Sequence, residues 1–182
     1  LSADGTVPAS SSPYNSGSFY VSVYEWDGSA WVLRGSRFNL PSYRDMNGWP
    51  VSLSADGTIL AMGQSWSTSS YSGRVLVYSW DGSAWSQMGT TINGKYLTSN
   101  SVKLNADGTV LAIGTKMTPG NTYSGAAYVY TWDGGAWVQR GATLQPTTGY
   151  SKFGISVALD STGDVLAVGD DAGQGKVRLY AW

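Results

Sequence analysis

An eleven-residue phrase returns along this chain at a spacing that few folds accommodate. Leu53-Ser-Ala-Asp-Gly-Thr-Ile-Leu-Ala-Met-Gly63 comes back as Leu104-Asn-Ala-Asp-Gly-Thr-Val-Leu-Ala-Ile-Gly114. A looser copy is Leu159-Asp-Ser-Thr-Gly-Asp-Val-Leu-Ala-Val-Gly169, and the front half opens the chain as Leu1-Ser-Ala-Asp-Gly-Thr6. A second phrase, Val-Tyr-Xaa-Trp, ends at Trp26, Trp80 and Trp132, with Leu179-Tyr-Ala-Trp182 as its last copy. A third, Trp-Asp-Gly-(Ser/Gly)-Ala-Trp, spans 26–31, 80–85 and 132–137. The period is 50 to 55 residues throughout. One such unit cannot bury its own apolar face, so neighbouring units must stack, as in propellers and solenoids.

Each unit reads as four strands. Strand A is short (51–54, 102–105, 157–159), and an Asp-Gly turn leads to strand B (59–63 and its copies). A loop rich in Ser, Thr, Gly and Tyr precedes strand C (75–80), and strand D follows at 84–88. Asp81-Gly82 predicts a two-residue hairpin turn, which would set Tyr78 opposite Trp85, with Tyr24–Trp31 and Tyr130–Trp137 as the equivalent pairs. Strand C carries Val75 and Val77 on one face and Leu76, Tyr78 and Trp80 on the other, so it is expected to be buried on both sides. No stretch has helical periodicity. The expectation is an all-β chain: one β-propeller region over 1–182, built of four-stranded antiparallel blades. About three and a half repeats are present, with units at approximately 1–50, 51–101, 102–156 and 157–182. Both ends fall within a unit, which fits part of a larger ring better than a four-bladed ring lacking an outer strand.

Composition narrows the function classes. Net charge is −1 and no basic patch occurs, so the electrostatic footprint of nucleic-acid binding is missing. No apolar run approaches the length of a membrane span. Cysteine is absent, which removes a disulfide framework. Charged residues are only 13%, and the polarity comes from hydroxyls, a composition common in secreted and cell-surface proteins. The chain begins at Leu1 without a signal peptide, as a processed protein or an excerpt would. There is no histidine, so Ser-His and Cys-His nucleophiles and His metal sites are impossible. The single glutamate is Glu25, and six of eleven aspartates (Asp4, Asp27, Asp56, Asp81, Asp107, Asp133) sit in Asp-Gly turns. Few acids remain for general acid–base work, and catalytic residues are expected to be none.

The last unit carries a resemblance. Phe153-Gly154, then Val165-Leu-Ala-Val-Gly169, then Gly175-Lys-Val-Arg-Leu-Tyr180 resembles the FG-GAP repeat of integrin-α-type β-propellers. The joining phrase Trp-Asp-Gly-Ser-Ala-Trp resembles multi-repeat surface proteins of algae and other microbial eukaryotes. The Phe-Gly pair falls on Asn47-Gly48 in the second unit and Thr98-Ser99 in the third, where the motif has decayed. The resemblance implies a calcium loop between strands A and B, which needs closely spaced carboxylates. Here each loop offers one or two, so no metal and no cofactor are expected. Asp160 and Asp164 come closest to a calcium position.

The remaining candidates are for binding. The A–B and C–D turns are short and nearly identical between units, and share one rim of an up-and-down blade. The B–C and D–A connections differ in each unit and share the other rim. Loops on a rigid scaffold carry function, and the variable ones hold Tyr14, Trp66, Tyr71, Met117 and Tyr123, with the adjacent pair Asp170 and Asp171 in the fourth. Trp49, between strands D and A, suits either ligand contact or packing. The expected function is a non-catalytic structural or adhesive module of an extracellular or cell-surface assembly, contacting other proteins. The alternative is a carbohydrate-binding propeller whose rim aromatics stack on sugar rings.

Overall fold

The computed structural model describes residues 1–12, 19–40, 49–66, 72–95, 101–115, 124–146, 151–171 and 175–182. They form sixteen strands in four antiparallel sheets. The first sheet holds β1 (Ala9–Ser11), β2 (Phe19–Trp26), β3 (Trp31–Leu33) and β4 (Phe38–Leu40). The second holds β5 (Val51–Leu53), β6 (Ile59–Trp66), β7 (Ser72–Trp80), β8 (Trp85–Gln87) and β9 (Ile92–Lys95). The third holds β10 (Ser101–Leu104), β11 (Val110–Thr115), β12 (Ala126–Trp132) and β13 (Trp137–Gln139). The fourth holds β14 (Val157–Leu159), β15 (Val165–Asp170) and β16 (Lys176–Ala181). This is the blade order of a β-propeller arc: successive strands pair in turn, and β4 and β9 return to pair with β2 and β7 beside β3 and β8.

The apolar period of two in each strand places alternate side chains on opposite faces of its sheet. The three cores therefore lie between sheets. Val7, Val21 and Val23 of the first unit meet Leu53, Leu60, Met62 and Leu76 of the second. Val75, Val77 and Ile92 of the second meet Val102, Leu104, Leu111, Ile113 and Trp137 of the third. Val110, Ala127 and Val129 of the third meet Phe153, Leu166 and Val168 of the fourth. A buried aliphatic side chain contributes roughly 1.5–3 kcal/mol, so each unit is held mainly by its neighbour. Strand β7 is buried on both faces over Val75, Leu76 and Val77, while Tyr78, Ser79 and Trp80 at its end are only half-buried. The A–B turns stand side by side: Ala3 N donates to Ala55 O at 2.7 Å, Ala55 N to Ala106 O at 2.7 Å, and Ala106 N to Ser161 O at 3.0 Å.

Three expectations are corrected. The Asp81-Gly82 hairpin is not a two-residue turn, because Trp80 pairs with Trp85 and Tyr78 with Gln87. Asp81 is the reason: its Oδ1 accepts the backbone N–H groups of Ser83 at 2.7 Å and Ala84 at 2.8 Å, which stabilises a four-residue loop. The Tyr78–Trp85, Tyr24–Trp31 and Tyr130–Trp137 oppositions therefore give way to Trp–Trp pairs, with ring centroids 5.3 Å apart for Trp26–Trp31 and Trp80–Trp85 and 5.5 Å for Trp132–Trp137.

Strand D is also broken in two. Pairing runs Tyr78↔Gln87 and then Val75↔Ile92, so the outer strand carries two extra residues around Gly89. The first unit repeats this around Gly35 (Tyr24↔Leu33, then Val21↔Phe38), and the third around Gly141 (Tyr130↔Gln139, then Ala127↔Leu144). The bulge follows from the neighbour. A Cβ on Gly89 would lie 2.7 Å from the Trp132 ring, and one on Gly35 would lie 2.8 Å from the Trp80 ring. Each bulge receives the tryptophans of the next unit, and Trp85 and Trp137 donate their indole N–H to Arg34 O at 2.9 Å and Met88 O at 3.0 Å. Finally, strands B and C of the second unit run to Trp66 and from Ser72, beyond the expected 59–63 and 75–80.

Candidate functional site

The two rims are built differently. On the turn rim every Asp-Gly loop closes on its own polar groups. Asp4 accepts from the Ser2 hydroxyl at 2.6 Å and from Thr6, and these bonds lower its carboxyl to about 2. Asp56 feels some desolvation, which raises its pKa, but bonds from Ser54 and Thr58 outweigh this and lower it. Asp107 is lowered by Thr109. In the C–D loops the backbone N–H groups of residues two and three positions on lower Asp27, Asp81 and Asp133. These carboxylates are turn caps, each holding its own loop through at least one oxygen.

The other rim is where strands B and C meet their connections: Ser11↔Val21, Trp66↔Ser72, Thr115↔Ala126 and Asp170↔Lys176 are the last pairs before each crossing. Outer strands β4 and β9 end at the same rim, through Phe19↔Leu40 and Ser72↔Lys95. Of the sequence candidates, Tyr14, Tyr71, Met117 and Tyr123 lie outside the described residues. Trp66 ends β6 at the rim, and only its backbone is described. Trp49 is buried, so its ring is not displayed on the rim.

Asp170 and Asp171 do not act as a carboxylate pair. Asp170 is buried and accepts from Arg178 at 3.1 Å, while Asp171 is exposed and pairs with Lys152 at 2.5 Å. Asp170 ends β15 and Asp171 follows it, beside an open groove of about 490 Å³ lined also by Ile155, Ser156, Gly169, Lys176 and Val177. Asp160 and Asp164 likewise point to different partners. Asp160 accepts from Val165 N at 2.9 Å, the main bond lowering its pKa, and from Thr162 Oγ1 at 2.7 Å. Asp164 forms an ion pair with Arg140 at 3.0 Å. Among the described residues no three carboxylates converge on one point.

Sequence reading missed the lock at the start of the fourth unit. Phe153 is fully buried, its ring 6.3 Å from that of Tyr180 and under the Arg178 guanidinium at 5.7 Å. Gly154 follows because a Cβ there would lie 2.3 Å from Ala126 O, and Ser101 Oγ donates to Gly154 O at 3.1 Å. Lys152, at φ 47, turns the chain into this seat. The Phe-Gly pair was the legible signal. Its partners are far away in sequence and were not.

No protein-family model matches this chain, and no curated protein matches it. Solved structures do. A chain in the complex of KlAtg21 with the coiled-coil of AgAtg16 is similar at 16% identity and a TM-score of 0.58, over 92% of this chain and 50% of that one. The β-propeller domain of the Trilobed protease from Pyrococcus furiosus, which has an open velcro topology, is similar at 11% identity and a TM-score of 0.57, over 98% of this chain and 51% of that one. The fold is a β-propeller fold, and the chain spans about half the length of these solved chains.

Proposed function

We propose that this arc is a non-catalytic scaffold that binds protein partners through the rim of B–C and D–A connections, in an extracellular or cell-surface assembly. The asymmetry between the rims carries the reading. One rim is repeated almost unchanged and its carboxylates cap their own turns. The other differs in every unit and is mounted on stiff hairpins, the usual place for recognition. Similarity to a propeller in a complex with a coiled-coil is in keeping with protein partners. The seat of Phe153-Gly154 between two units supports an FG-GAP-like repeat. A second reading, sugar binding, is favoured by Trp66, which ends β6 at the rim opposite Ser72.

The test is binding of the labelled chain to arrays of extracellular proteins and of glycans. Residues 67–70 and 116–120 are replaced by Gly-Ser segments of equal length, and Ser29→Arg and Ser83→Arg mark the turn rim. Protein binding lost on segment replacement and kept in the turn variants is the expected result. Binding on the glycan array alone moves the reading to sugar recognition. Binding lost only in the turn variants overturns the rim assignment.

A further inference from the structure

The interface that joins the units has both of its halves exposed at the ends of the arc. Between units its turn seat is built the same way three times, and its strand seat twice. A β-branched residue opening strand B packs on the turn glycine of the next unit. The Cβ of Val7, Ile59 and Val110 would lie 2.8, 2.7 and 2.7 Å from a Cβ on Gly57, Gly108 and Gly163. Two apolar residues of strand C are covered by the next unit, whose C–D hairpin tryptophan joins the same cluster: Val21 and Val23 with Trp85, Val75 and Val77 with Trp137.

In the fourth unit the equivalent residues are bare. Val165 stands where Val110 does and is 40% exposed, against 5% for Val110. Val177 and Leu179 stand where Val75 and Val77 do, and are 70% and 72% exposed against 0% and 2%. The complementary half is bare on the first unit. Gly5 has nothing within 4 Å of its Cβ position, Trp31 is 50% exposed where Trp137 is 9%, and Trp26 is exposed beside it. Clustered apolar residues of this size are not an ordinary exposed surface.

We infer that a second copy of this chain docks head to tail on the first, seating Gly5 and Trp31 of one copy against Val165, Val177 and Leu179 of the other. The occupant is identified by continuity: these faces are the two halves of an interface the molecule already makes between its own units. Two such contacts close a ring of two arcs, a heterologous interface that ends in closure. Ring size agrees, because the arc aligns with about half of each similar propeller chain. The first unit's face has Pro8 and Ser10 where the second has Leu60 and Met62, and Ser22, in the place of Leu76, is already buried, so the seam is less apolar than the internal ones.

Sedimentation velocity of the 182-residue chain tests this. A two-chain species is expected, and Leu179→Asp, which places a carboxylate in the seam, weakens it by at least about tenfold while thermal unfolding stays cooperative. The chain has no cysteine, so mixing an Ala3→Cys chain with a Ser161→Cys chain under mild oxidation reports the contact directly. These positions follow from the Ala106-to-Ser161 backbone bond between units. A mixed disulfide dimer supports the seam. A monomer at every concentration, a chain-length series that grows without closing, or a dimer untouched by Leu179→Asp and giving no mixed disulfide overturns it.

Discussion

At Gly89 a methyl group has no room. The backbone sits at φ 76 and the Cβ position is 2.7 Å from the Trp132 ring. At Gly82 the backbone is also left-handed, φ 101, but nothing lies within 4 Å. Gly82→Ala therefore carries only the backbone cost, about 1–2 kcal/mol, whereas Gly89→Ala adds overpacking and loses about 2–4 kcal/mol in all. Urea unfolding of the two variants measures the difference. The capping carboxylates make a second residue-scale prediction. Asp4, Asp27, Asp56, Asp81, Asp107, Asp133 and Asp160 are all more acidic in the folded chain than the ordinary 3.8. Below that value the unfolded chain binds more protons, so stability is full above about pH 4 and falls as pH drops toward 2. Thermal melts from pH 7 to pH 2 should show a flat upper range and a declining lower one. Asp81→Asn should shrink the decline.

At the scale of the strand, the same sequence can be buried or bare according to what stands next to it. Leu60 is fully buried between the first and second units, and Leu60→Ala is expected to cost about 2–5 kcal/mol. Val177→Ala, on an exposed face of one copy, should fall within about 0.5 kcal/mol when measured on dilute monomer. Denaturant midpoints separate the two. Trp137→Phe removes the bond to Met88 O and leaves part of the buried indole volume unfilled, so a loss of about 1–3 kcal/mol is expected. The strands themselves were legible, since β5, β6 and β7 are apolar runs bounded by turn residues and β8 opens on the tryptophan after Asp81-Gly82. The hairpin register was not. Asp-Gly signals a turn, but the Asp81 carboxylate chose the four-residue form. The bulge at Gly89 answers to a tryptophan more than forty residues away.

For the whole molecule, stability is a chain of neighbour interfaces. The second and third units are covered on both faces, while the first and fourth each have one open face. In such an array the ends open first. Hydrogen exchange should therefore protect β7 and β12 most and β16 least at low concentration, with β16 gaining protection as concentration rises if the arcs pair. Uniform protection across all four sheets would contradict the nearest-neighbour picture.

The sequence by itself determined the unit, its strand order and the partition into a repeated rim and a variable one. Those follow from local signals: a period near fifty residues, alternating apolar positions, and Asp-Gly turns whose hydrogen bonds close within a few residues. Only the tertiary structure decided the register of the C–D hairpins, the break in strand D, the pairing of Asp170 with Arg178 and Asp171 with Lys152, and the exposure of Val177 and Leu179. The hairpin register rests on how the Asp81 carboxylate folds back on its own loop, and the Asp170–Arg178 pair on the β15–β16 register. The break in strand D and the exposure of Val177 and Leu179 depend on what stands, or does not stand, across a seam between units. The distance across an inter-unit seam is a few ångströms, while the distance along the chain is tens of residues. No local pattern encodes which partner arrives there.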